Sequence, residues 1–171
     1  DTAEKYYIWT DKQTPDIEND GKTFITYDSL FNIAQIIYRQ SGENFIVDGK
    51  LNLSSHAFEY VWNYSFQPAV KGYAAIYDGY GSDLIKTGDI VASIGSTAGV
   101  LFYSDIVTYD DNLTEPAEFL VLPYPVIDGG EKIAIQRGGG MCIIKSNEAK
   151  EYAAAVFLKW FTSPEQNLKF V

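Results

Sequence analysis

The chain is short of the side chains that carry most enzyme chemistry. It has one cysteine, one histidine and one methionine in 171 residues. A single cysteine allows no intrachain disulfide and no multi-cysteine metal site. Cys142 sits in the apolar run Met141-Cys142-Ile143-Ile144. The expectation is a buried, inert thiol, since a reactive one wants exposure and a basic neighbour. His56 stands near a predicted helix start, where positive charge is disfavoured, and reads as a solvated surface residue. The cysteine and histidine are far apart, and neither lies in a nucleophile motif. Gly95-Ser96-Thr97-Ala98-Gly99 carries its serine one place too early for the G-x-S-x-G elbow. There is no H-E-x-x-H and no phosphate-binding P-loop pattern, and Gly138-Gly139-Gly140 lacks the lysine such loops use. No run of about 18 apolar residues occurs, so no membrane-spanning helix is expected. No secretory leader is visible either. Basic residues are also scarce: 13 Lys and Arg against 23 Asp and Glu, a net charge of −10. That argues against nucleic acid and anionic membrane surfaces as partners.

What is present describes a folded domain. Hydrophobic residues make up 46% and charged residues 21%, a globular balance rather than a disordered one. The length suits one domain with a real core. The chain reads as an excised piece truncated at both ends. It starts at Asp1, its methionine is internal, and it stops soon after the Ser163 cap. A terminal helix that short gains little by itself.

Helices and strands alternate along the sequence. Lys22–Tyr27 is β-branched and aromatic enough for a strand, and Asp28 or Ser29 can cap the helix after it. Leu30, Ile33, Ala34 and Ile37 mark that helix's buried face. Asp48-Gly49, between Asn44–Val47 and Lys50–Leu53, is a two-residue hairpin signal. Ser54 or Ser55 caps a helix with Phe58, Val61, Trp62 and Phe66 at helical spacing, kinked or restarted at Pro68. Residues 72–81 read as irregular, and Ser82–Lys86 as one helical turn closed near Gly88. Ile90–Ile94 is a strand, and Val100–Ile106 fits a short helix. Phe119–Leu122, Lys132–Gln136 and Met141–Ile144 read as further strands. In Glu148–Thr162 the residues Ala149, Ala153, Val156, Phe157 and Trp160 form a stripe read as core, and Ser163–Gln166 opens a second helix. This alternation predicts an α/β domain.

Two places suit binding better than reaction. Ser96 and Thr97 follow a strand and open a helix, where backbone N–H groups and the helix dipole favour an anion or a sugar hydroxyl; an ordinary helix cap would place the same residues there. Arg137-Gly138-Gly139 exposes bare backbone beside a guanidinium fork suited to carboxylate, phosphate or vicinal hydroxyls, or else simply turns between strands. Trp9, Tyr27, Tyr77 and Tyr80 lie near turns and glycines, where a ring can stack on a sugar face or pack a loop. Asp78, Asp83, Asp89, Asp105, Asp110 and Asp111 are the acids from which a hydrolase pair would be drawn.

Several segments together resemble the extracellular solute-binding proteins of ABC importers, in the large family 1 that serves sugars and glycerol phosphate. They are Phe24–Ser29, Gly88–Ala92, Ile94–Gly99, Leu122-Pro123-Tyr124-Pro125 and Gly138–Phe170. Ala153-Ala154-Ala155-Val156-Phe157-Leu158-Lys159-Trp160-Phe161-Thr162-Ser163-Pro164-Glu165 is similar to the family's "FLKWLTSPE" helix end. The resemblance implies a type II periplasmic-binding-protein-like lobe, a mixed sheet flanked by helices. On this reading residues 1–171 form a single α/β lobe, mainly the C-terminal lobe of a two-lobed protein. It implies capture of a small-molecule ligand (a sugar or a sugar or glycerol phosphate) in an interlobe cleft. No catalysis, cofactor or metal is implied. The partners would be ABC permease subunits. The protein would be a monomer outside the cell, a membrane-anchored lipoprotein or periplasmic. Carried over by position, the ligand residues are Tyr27 and Ser29 at the first crossover, Ser96 and Thr97 after the strand, and Gly138 and Gly139 in the glycine-rich crossover; Arg137 joins them on its own chemistry. Maltose-type members place a Trp in the Ser96 loop; this chain has Ser-Thr-Ala-Gly and leaves the ligand open. A carbohydrate hydrolase using paired acids and a ligand-sensing ectodomain are the competing functions.

Overall fold

The computed structural model describes residues 1–170. They form two compact units, Asp1–Ile135 and Gln136–Val171. The larger, unit 1, is mixed α/β with small sheets. Its elements in order are α1 (Thr2–Asp11), β1 (Ile25–Tyr27), α2 (Leu30–Gln40), β2 (Ile46–Val47), β3 (Lys50–Leu51) and α3 (His56–Val61). α3 runs through a π-helical turn, Trp62–Phe66, into α4 (Gln67–Val70). Then follow β4 (Ala74–Ala75), α5 (Gly81–Lys86), β5 (Ala92–Ile94), a 3-10 helix (Thr97–Phe102), β6 (Ile106–Thr108) and β7 (Thr114–Pro116).

Three strands make a parallel sheet in the order β4-β1-β5. Ile25 lies opposite Ala74 and Ala92, and Thr26 opposite Ala75 and Ser93. Thr26 is buried at the centre, where its hydroxyl donates to the Ala75 carbonyl at 3.0 Å. α2 supplies the core. Ser29 caps it by accepting from the Asn32 amide at 3.3 Å, and Ile33, Ala34, Ile36, Ile37 and Tyr38 are buried along it. Burying one such aliphatic side chain stabilises by about 1.5–3 kcal/mol. Leu30, expected on the same face, is exposed at the first turn. Ile33, Ile37, Tyr38 and Ala57 form one cluster, with Tyr27, Phe45, Phe58, Tyr124 and Ile127 packed around it.

The hairpin β2–β3 turns at Asp48 and Gly49, both at positive φ (50° and 74°), as a type I′ turn requires. The sequence signals missed three features of unit 1. α1 lies in a stretch where no element was expected, β4 lies in the Tyr- and Gly-rich stretch read as irregular, and β6–β7 is an antiparallel hairpin. The expected helix Val100–Ile106 is instead a 3-10 turn that ends at Phe102, with β6 after it.

Phe119–Leu122, Lys132–Gln136 and Met141–Ile144 are not strands. Their residues pair with no other strand, and Leu120, Val121, Leu122 and Ile144 stay largely exposed. Apolar β-formers make a strand only when a neighbouring strand takes up their backbone groups. The stretch after Leu122 is held by α2 instead: the buried Gln40 amide donates to the Pro125 carbonyl at 2.9 Å and accepts from the Ile127 amide at 3.0 Å.

Unit 2 contains α6 (Glu148–Phe161) and α7 (Pro164–Phe170). Asn147 caps α6, its Oδ1 accepting from the Lys150 amide at 3.0 Å. The stripe read as core is not buried: Val156, Phe157 and Trp160 are each about half exposed, Trp160 at 54%. Among the described residues of unit 2 the rings meet one another, Phe157 against Phe161 at 5.7 Å and Phe161 against Phe170 at 5.3 Å.

Candidate functional site at the carboxyl edge of the parallel sheet

Parallel strands end at the same edge, so β1, β4 and β5 deliver their outgoing loops to one place. The chain that leaves β1 returns to the sheet at β4, on the side away from β5. In open α/β sheets this arrangement leaves a crevice between the two strand ends, and ligands seat there. On one side are Asp28 and Ser29, directly after β1; on the other are Gly95, Ser96 and Thr97, directly after β5. The loop Ile76–Tyr80, after β4, completes the edge with Tyr77 about half exposed and Tyr80 at 70%. These three loops carry hydroxyls, phenols and the carboxylates Asp28 and Asp78, and no Lys or Arg.

The structure brings four of the sequence-derived candidates together here. Ser29 spends its hydroxyl on capping α2. Ser96 occupies the cap position of the 3-10 helix, its hydroxyl makes no capping bond, and both it and Thr97 are exposed. Tyr27 is the residue beneath. Its ring packs on the core cluster, its hydroxyl donates to the Tyr64 carbonyl at 2.9 Å, and burial raises its pKa. Tyr64 has that carbonyl to offer because its α-helical donor would be the N–H of Pro68, which proline lacks.

Arg137, Gly138 and Gly139 belong to unit 2, at its start, in a stretch without helix or strand. All three are exposed, and a β-carbon on Gly138 or Gly139 would meet nothing within 4 Å. Packing therefore does not demand glycine there. What the glycines provide is uncovered backbone.

Asp28 is the residue that the sequence offered only as a possible cap. Its backbone N–H donates to the Ile94 carbonyl at 3.0 Å, tying β1 to the end of β5. Its Oδ1 accepts from the Gly81 amide at 2.9 Å, tying it to the start of α5. Its Oδ2 lies so close to Gly95 that a β-carbon at that position would collide with it. One signal of this was legible: Tyr80, a poor cap, precedes α5 and makes no side-chain cap bond, so the helix's first N–H had to find a partner elsewhere.

Other candidates disperse. Cys142, expected to be buried, is exposed, because the run around it joins no sheet. His56 is exposed as expected and pairs with Glu59 at 3.0 Å. Trp62, which its spacing places on the apolar face of its helix, is 44% exposed and stacks on Phe66 at 4.4 Å. Among the acids, Asp83 pairs with Lys86 at 3.6 Å, Asp89 accepts from the Thr87 hydroxyl, and Asp111 accepts from the Leu113 amide at 3.0 Å. No group of three or more His, Cys, Asp or Glu side chains that could hold a metal occurs among the described residues. Nor, among them, is any helix long and apolar enough to cross a membrane. Two surface hollows of unit 1, of about 200 and 240 Å³, lie away from the carboxyl edge, against Glu4, Gln67 and Tyr73 and against Gln35, Arg39 and Phe45. Both are open at the surface, and neither is lined by Asp28, Ser29, Ser96 or Thr97. Comparison of the chain with protein-family models, with curated proteins and with solved structures finds no match.

Proposed function

We propose that this chain is most of one lobe, mainly the C-terminal one, of an extracellular solute-binding protein that delivers a carbohydrate or polyol phosphate to an ABC importer. The fold is then a type II periplasmic-binding-protein-like lobe. Capture works by hinge closure over the ligand rather than by catalysis. The permease subunits are the protein partners, and the protein works at the cell surface or in the periplasm. The observation that supports this reading is that β1 and β5 end side by side at one edge of the parallel sheet. Ser29, Ser96 and Thr97, which the family resemblance implies as ligand residues, lie there on adjacent strand ends of one parallel sheet. Arg137, Gly138 and Gly139, the other residues of this reading, are exposed in unit 2, where the two glycines leave backbone uncovered.

The reading is tested by melting the full-length protein against a panel of neutral sugars, sugar phosphates and glycerol 3-phosphate. A ligand that binds only the native state stabilises it by about 2.7 kcal/mol at a hundred times Kd, a shift of several degrees. Ser96→Trp fills the crevice from an exposed position, so binding is lost while the unliganded melting temperature stays within about 2 °C of the parent. A panel that moves nothing ends the transport reading, and unchanged affinity in Ser96→Trp removes that loop from the site.

A further inference from the structure

Loops leaving three different strands have no intrinsic reason to hold a fixed spacing, yet one residue joins all three at this edge. Asp28 ends β1 and bonds the last carbonyl of β5, its Oδ1 takes the first amide of α5, and its Oδ2 occupies the space that Gly95 leaves by having no side chain. Gly81 is buried and approaches the sheet closely: a β-carbon there would stand 2.5 Å from Ser93 Cβ and 2.9 Å from Thr26 Cγ2. Both partner positions therefore admit little besides glycine, and both face the same carboxylate. Tyr80 provides no cap for α5, so Asp28 supplies one from another strand, where a negative charge also suits the helix dipole.

We infer that Asp28 is the positioning residue of the crevice. It fixes the loop after β4 and the loop after β5 to the end of β1, and so sets the spacing between Ser29 and Ser96-Thr97 before any ligand arrives. This rests on reading the crevice as the ligand seat. The ordering entropy of the loops is spent in folding, which makes binding tighter. The tie depends on an acceptor at Oδ1 and on room beside Gly95, so Asp28→Asn keeps it. Asp28→Ala removes its side-chain part, the bond to Gly81 and the contact with Gly95, and keeps the main-chain bond to Ile94; Gly95→Ala displaces the carboxylate while leaving Asp28 in place.

The test uses the full-length protein and four forms: parent, Asp28→Asn, Asp28→Ala and Gly95→Ala. Amide spectra and hydrogen exchange follow Gly81 and Ser96, and affinity is measured for maltose and for glycerol 3-phosphate. In Asp28→Ala and Gly95→Ala the Gly81 amide proton moves upfield, its exchange speeds up, and the Ser96 amide shifts with it; Asp28→Asn stays near the parent. Whichever probe binds the parent binds Asp28→Ala and Gly95→Ala about tenfold more weakly, the weight of one hydrogen bond to a charged group, and Asp28→Asn restores it. Combining Asp28→Ala with Gly95→Ala adds no further loss, because both break the same tie. An unmoved Gly81 amide in Asp28→Ala, or affinity equal to the parent's in both disrupting variants, overturns the inference. Amide shifts as expected, with neither probe binding the parent, support Asp28 as the tie and count against the solute-binding reading instead.

Discussion

Gln40 is polar, 3% exposed, and holds a segment that starts 85 residues later in the chain. Its amide satisfies the Pro125 carbonyl and the Ile127 N–H together, and its own carbonyl accepts from the Glu131 amide at 3.1 Å. Gln40→Ala leaves both backbone groups without their protein partner and should cost about 1–2 kcal/mol, read from urea unfolding midpoints; no loss would show water replacing the amide. Tyr124 poses the opposite problem. Its hydroxyl is buried with no hydrogen-bond partner among the described residues, and burial, reinforced by Tyr27, pushes its pKa up to about 12. Both phenols hold their protons more tightly folded than unfolded, where the value is about 10. The contribution of each is therefore complete below about pH 10 and is lost as pH rises through its folded value, about 12 for Tyr124. Tyr124→Phe should leave stability at pH 7 unchanged or slightly raised and should flatten the alkaline loss, measured by unfolding across that window. Ser29 and Ser55 were each legible as one of two neighbouring cap candidates, since a cap and its helix are sequence neighbours. The partners of Gln40 and Tyr124 were not, because tertiary packing alone assembles them.

At the scale of elements, local chemistry fixed the turns and tertiary structure fixed the helix phase. The Asp48-Gly49 hairpin formed as read, because positive φ at both positions selects those residues. Gly49→Val forces a β-branched side chain to φ +74° and should cost about 1–3 kcal/mol, measured by thermal or urea unfolding; no change would mean that the turn relaxes freely. The helix after Ser55 shows where spacing misleads. Phe58, Val61, Trp62 and Phe66 share one face of an ideal α-helix, but the π-helical turn shifts the phase beyond Val61. There the buried Ser65 hydroxyl bonds back to the Val61 carbonyl, and Pro68 denies Tyr64 its helical donor. Trp62 and Phe66 consequently turn outward and stack on each other. Tyr27→Phe removes the hydroxyl that serves Tyr64 and should cost about 1 kcal/mol, with the alkaline transition altered as well.

At the scale of the whole molecule the chain divides between Ile135 and Gln136, inside an exposed stretch without helix or strand. Limited trypsin digestion should cut there first, after Lys132, Arg137 or Lys145, and release a unit 1 fragment that keeps its amide spectrum. A first cut inside α2 or the β1–β5 pair would contradict the division. By itself the sequence determined the α/β alternation, the caps, the type I′ turn and the strand ends where Ser29 and Ser96 stand. All of these follow from backbone preferences and side chains within a few residues of one another. Only the tertiary structure decided which apolar runs became strands. Phe119–Leu122 and Met141–Ile144 have the composition, but a strand exists only when a neighbour satisfies its N–H and C=O groups, and none does. It likewise decided that β4, two alanines with little strand propensity, pairs with β1, and that Asp28 joins Gly81 and Gly95, 53 and 67 positions further along, at one edge.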